Sequence, residues 1–157
     1  MSKARIFAVE NQLAKVVKKP GGKTVDEHVK AAEVRIEGVR DVTLASLIEK
    51  AEALAALAAA GRKGTDSKAF DSIYETSNAI FGLAGTFGLK ALAEAAFSLC
   101  DLADGFRGGE APNWPSIDVH VDGIRLLAGL GDKAEAAGAE SILDGLRRVR
   151  ARVLPAG

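Results

Sequence analysis

Two glycines a turn apart, Gly82 and Gly85, stand inside a stretch that otherwise reads as a helix, FDSIYETSNAIFGLAGTFGLKAL at residues 70–92. On a 3.6-residue period Phe70, Ile73, Ser77, Ile80, Ala84 and Phe87 share one face and make a buried stripe. Asn78, Gly82, Gly85 and Thr86 then fall on the exposed side, with Phe81 at its flank. Each interior glycine costs a helix about 1 kcal/mol relative to alanine. A pair of them on a solvent face has no folding rationale, and bare backbone suits a place where something must approach closely. The chemistry open to this face is limited. The lone pair of a carboxamide nitrogen is delocalised into its carbonyl, so Asn78 is no nucleophile, and Phe81 brings no charge. Gly88 is expected to end the helix in the left-handed conformation.

The remaining chemistry-bearing residues are few. His28 and His120 are the two imidazoles, and neither has a second ligand pair at metal-binding spacing. Cys100 reads as a small buried residue rather than a redox thiol. Trp114 reads as a lid over the end of the helices more than as a binding hot spot. There is no Ser/His/Asp set and no phosphate-cradling glycine loop in the sequence. The expectation is a protein that is not an enzyme and takes neither metal nor cofactor.

The central stretch resembles the signature of histidine-containing phosphotransfer (HPt) domains, H-x-[LI]-K-G-x-x-G-x-x-G. Here it runs Asn78-Ala79-Ile80-Phe81-Gly82-Leu83-Ala84-Gly85-Thr86-Phe87-Gly88. The three glycines and the aliphatic residue are in register. Asn78 takes the place of the phosphorylatable histidine and Phe81 that of the lysine. The segments SLCDL, HVDGIR (His120 to Arg125) and ARIFAVENQLAKVV are similar to parts of alphaproteobacterial HPt proteins. The resemblance implies a docking surface for the receiver domain of a response regulator, with a sensor kinase as a further partner. It implies Asn78, Phe81, Gly82, Gly85 and Thr86 as the partner-binding residues. Without an imidazole of ordinary pKa near 6.5 to attack an aspartyl phosphate, the implied role is binding without phosphotransfer. Two alternatives stand beside it: a structural or dimerising helical bundle, and an active phosphotransfer protein using His28 or His120.

Composition sets the outer bounds. At 157 residues, with 48% hydrophobic but only 5% aromatic side chains, the chain suits one domain of closely packed small-residue helices. Lys+Arg and Asp+Glu number 21 each, so charge gives no support for nucleic-acid binding. A single cysteine fits a reducing compartment, and the opening MSKARIFAVENQ lacks the apolar core of a leader. No apolar run reaches the ~20 residues of a membrane span, so a cytoplasmic protein is expected.

The elements that must carry the face follow from periodicity and caps. Residues 1–23 form a basic arm closed by Pro20-Gly21-Gly22, and 24–157 the helical domain. A first helix is expected from Thr24, where Thr24 and Glu27 make a capping box, to about Arg40, with Val25, Val29, Ala32, Ile36 and Val39 as its stripe. A second should run from Thr43 to Ala60 on Leu44, Leu47, Ile48, Ala51, Leu54, Ala55 and Ala58. Thr65 to Ser67 supply caps for the glycine-bearing helix. A partner helix on Leu92, Ala95, Ala96, Leu99, Leu102 and Phe106 follows so closely that the two must form a hairpin. After the loop Gly108–Trp114, a fifth helix holds Ile117, Val121, Ile124, Leu127 and Ala128. A sixth, from Lys133 to Leu154, ends in Arg147, Arg148, Arg150 and Arg152, either a helix-terminal charge bias or a phosphate patch. The expected architecture is all-α: an antiparallel four-helix bundle with additional N-terminal and C-terminal helices.

Overall fold

The capping box is formed. The Glu27 N–H donates to Thr24 Oγ1 at 3.2 Å and the Thr24 N–H donates to Glu27 Oε2 at 2.6 Å, which opens helix α1 (Val25–Arg62). The computed structural model describes residues 21–64 and 68–154; the arm up to residue 20 and the caps expected at Thr65 to Ser67 lie outside them. Four more helices follow: α2 (Ala69–Thr86), α3 (Lys90–Arg107), α4 (Trp114–Leu130) and α5 (Ala139–Val153), with a 3-10 turn at Gly131–Lys133. Among the described residues there is no strand, and the fold is an all-α helical bundle.

The first two expected helices are one. No glycine or proline separates Val39 from Thr43, and Thr43 caps nothing: its hydroxyl donates to the Val39 carbonyl at 2.9 Å, a bond internal to the helix. The change of stripe near residue 40 marks the passage from an exposed apolar line to a buried one and not an end. The chain divides into two compact units, Met1–Gly38 and Val39–Gly157. In the first, Val25, Val29 and Ile36, expected to be buried, are 77%, 49% and 53% exposed. In the second, Ile48 is also exposed, since it falls one position beyond the line Leu47, Ala51, Leu54, Ala58 that enters the core.

The second unit is built round one apolar cluster. Ile73, Ser77, Ile80 and Ala84 of α2 face Leu92, Ala95, Ala96, Leu99 and Leu102 of α3, with Ile117, Val121, Ile124 and Leu127 of α4. Arg125 reaches Glu52 at 2.9 Å and Arg62 reaches Asp118 at 2.5 Å, so α1 and α4 run antiparallel. Phe70 meets Phe106 at one end of α2 and α3 and Phe81 meets Phe97 at the other, so these two are antiparallel also. Small residues set the closest approaches. A Cβ on Gly61 would stand 2.5 Å from the Trp114 ring and 2.6 Å from Ala69 Cβ. Trp114 stacks on Phe70 at 4.9 Å, a lid as expected, and the Asn113 side chain caps α4 by accepting from the Ser116 N–H at 3.0 Å.

The last helix is shorter than its periodicity predicts. Gly131 and Gly138 have φ of +52° and +85°, which breaks the ladder twice and delays α5 to Ala139. It packs on α3 and α4 through Leu143 and Leu146, with Leu146 seated against Gly123. Two of its four arginines are spent on carboxylates: Arg147 pairs with Glu94, Glu140 and Asp144, and Arg150 with Asp101 at 2.6 Å, while Arg148 and Arg152 are exposed. For Arg147 and Arg150 that arrangement is one of surface ion pairs.

Candidate functional site: the glycine face of α2

The C-terminus of α2 fixes where the face ends. The Leu89 N–H donates to the Ala84 carbonyl at 2.9 Å and the Gly88 N–H to the Gly85 carbonyl at 3.2 Å, a Schellman turn with Gly88 at φ +74°. Leu89 buries itself beneath the turn. The Arg40 guanidinium donates to the Phe87 carbonyl at 3.3 Å and is paired with Asp132, tying α1 to the same corner. The junction between α2 and α3 is thereby held from both sides.

Asn78, Phe81, Gly82, Gly85 and Thr86 are all exposed, while Ile73, Ser77, Ile80 and Ala84 opposite them are fully buried. A Cβ on Gly82 or Gly85 would meet nothing within 4 Å. Neither glycine is therefore required by packing. Gly38, Gly129 and Gly145 are equally open, but each is the single open glycine of its helix. The Thr86 hydroxyl folds back onto the Gly82 carbonyl at 2.9 Å, which leaves its methyl group outward.

Phe81 leans toward α3, where its ring meets that of Phe97 at 5.5 Å and 49°. The two rings are 40% and 51% exposed. With Gly85, Gly88, Lys90, Ala93 and Glu94 they line a shallow depression of ≈ 450 Å³. The Glu94 carboxylate is held by Arg147 Nε at 2.6 Å, whereas Lys90 forms no ion pair among the described residues. The rim thus carries one cation, Lys90, and one carboxylate, Glu94, whose arginine is shared with Glu140 and Asp144. Sequence reasoning missed the α3 half of this surface. The available signal was Phe97 itself, an aromatic residue out of phase with the buried line Leu92, Ala95, Ala96, Leu99.

The other reactive groups lie elsewhere. His120, beside the α4 stripe in the sequence, is fully buried. Its Nδ1–H donates to the Ser116 carbonyl at 2.8 Å, and Nε2, 2.9 Å from Ser98 Oγ, accepts from that hydroxyl. Burial, aided by the charge of Arg150, lowers its pKa and keeps it neutral, despite the opposing pull of the Ser116 carbonyl. Both nitrogens are occupied and out of reach of a phosphodonor. His28 is exposed on α1, and no His, Cys, Asp or Glu cluster among the described residues could hold a metal ion. Burial and the neighbouring Asp101 push the Cys100 thiol up to about 11, which makes it inert at neutral pH. No described helix is long and apolar enough to cross a membrane.

No protein-family model, curated protein or solved structure matches the chain.

Proposed function

We propose that this chain is a phosphotransfer-like docking module that binds the receiver domain of a response regulator and leaves its phosphoryl group in place. The observation that carries the reading is the α2 face: two packing-free glycines, Gly82 and Gly85, beside the exposed Phe81–Phe97 pair, with Asn78 where a nucleophile would stand. The glycines let a partner approach to backbone distance, and the rings supply apolar area. Lys90 offers a cation to an anionic partner.

Asn78 cannot form a phosphoramidate, and Phe81 withholds the cation that would stabilise a phosphoryl group in transit. Binding without transfer sequesters a receiver or competes with its other partners. The site is a recognition surface and not a catalytic centre.

A binding screen of the purified chain against receiver domains from its host tests this directly. Saturable binding to at least one receiver, lost in Gly85→Arg, is the expected result. Failure of every receiver to bind, in both the phosphorylated and unphosphorylated states, would remove the reading.

A further inference from the structure

The first turns of α1 bury nothing. Every residue from 25 to 38 is exposed except Ala31, which is half-buried, and the first buried residue of the helix is Leu47. Helices in proteins owe most of their stability to a packed face, and a short stretch without one is marginal in water. The Thr24–Glu27 capping box supports the start of this stretch. Its far end has no such support. Val34, Ile36, Val39, Val42 and Thr43 are β-branched, and Gly38, the poorest helix former present, stands among them. Glu33, Glu37 and Asp41 follow one another at four-residue steps, so like charges meet on adjacent turns. The Thr43 hydroxyl also competes for the Val39 carbonyl, which weakens the ladder there.

The anchor comes at once after this weak passage. Arg40 donates to the Phe87 carbonyl and pairs with Asp132, and Leu44 packs against the core. The boundary between the two compact units falls at the same place, between Gly38 and Val39, inside a single helix. A Cβ on Gly38 would meet nothing within 4 Å, so packing does not call for a glycine there. We infer that residues 25–38 melt from helix to coil as a unit of their own, with the break at Gly38, while the bundle from Arg40 onward stays folded. α1 is then one helix in geometry and two in cooperativity. The first part can order or melt without disturbing the surface that α2 and α3 display.

Amide hydrogen exchange of the full chain reads this directly. Residues 25–38 should exchange at least a hundredfold faster than 47–58, and equal protection of the two stretches overturns the proposal. Gly38→Ala should slow exchange in 25–38 about fivefold, the helix-propensity difference between the two residues. No slowing would place the break elsewhere and overturn the assignment to Gly38. Gly38→Pro loses the hydrogen bond to the Val34 carbonyl and crowds that carbonyl, a disturbance confined to the N-terminal side. Trp114 is the one tryptophan of the sequence and stacks on Phe70, so its fluorescence reports the bundle. In Gly38→Pro the circular dichroism of the native chain should fall while the urea midpoint read by Trp114 stays where it was. A lower midpoint would show α1 and the bundle to be one cooperative unit and would overturn the proposal.

Discussion

The ring of Phe81 on α2 stands 5.5 Å from that of Phe97 on α3, and about half of each remains in solvent. Two adjacent half-covered phenylalanines are an unfinished apolar contact. Closing it with a partner is worth about 2 kcal/mol per ring at ~25 cal/mol/Å².

Removing either ring should therefore lower both binding and stability. Phe81→Ala and Phe97→Ser are each expected to weaken receiver binding tenfold or more, equivalent to ~1.4 kcal/mol. The fold should lose the buried half of the ring, about 2 kcal/mol at ~25 cal/mol/Å², together with the aromatic pair, about 0.5–1.5 kcal/mol. Isothermal titration alongside thermal melts checks both. Full affinity in Phe97→Ser would confine the surface to α2.

The glycines divide into two classes with opposite outcomes. Gly85→Arg meets nothing and gains helix propensity, so thermal stability should hold or rise while receiver binding falls at least tenfold. Gly61→Ala drives a methyl group into Trp114 and Ala69 and should cost about 1–3 kcal/mol. Urea titration of the two variants makes the comparison.

Incubation with a phosphorylated receiver should leave the wild-type chain without acid-labile, base-stable label. Asn78→His alone should recover little, because Phe81 still stands where a cation is needed. The double variant with Phe81→Lys should recover more. Label on the wild-type protein, followed by mass spectrometry to locate it, would show a nucleophile other than Asn78 at work.

His120 predicts a pH dependence. Its pKa in the folded chain lies below the free value near 6.5, so beneath that pH the unfolded chain binds more protons. Stability should be full above about 6.5 and decline as pH falls toward the folded value. Urea midpoints between pH 7.5 and 5 should show the decline, and His120→Gln should flatten it. An unchanged slope in that variant would assign the dependence to carboxylates instead.

Much of this molecule is legible in its sequence because period and caps act locally. The stripe of α2, its stop at Gly88, the Thr24–Glu27 box and the α2–α3 hairpin all follow from residues within a turn or two of one another. What escaped was non-local. The unbroken α1 is masked by a change of apolar line near Val39, from exposed to buried, which mimics a helix end. The late start of α5 depends on two glycines taking positive φ. The burial of His120 depends on Ser98, a residue on another helix. Phe97 joined the surface only once α3 had folded back along α2.

Every residue lining the depression lies between 81 and 97, one unbroken passage of chain doubled back at Gly88. No distant segment has to arrive before the surface exists. Substitutions in α1, α4 or α5, Arg147 beside Glu94 apart, change how firmly the hairpin is held and not what it displays. Under the proposed docking role the surface is portable: moved as a cassette into another helical scaffold, it should carry receiver binding with it.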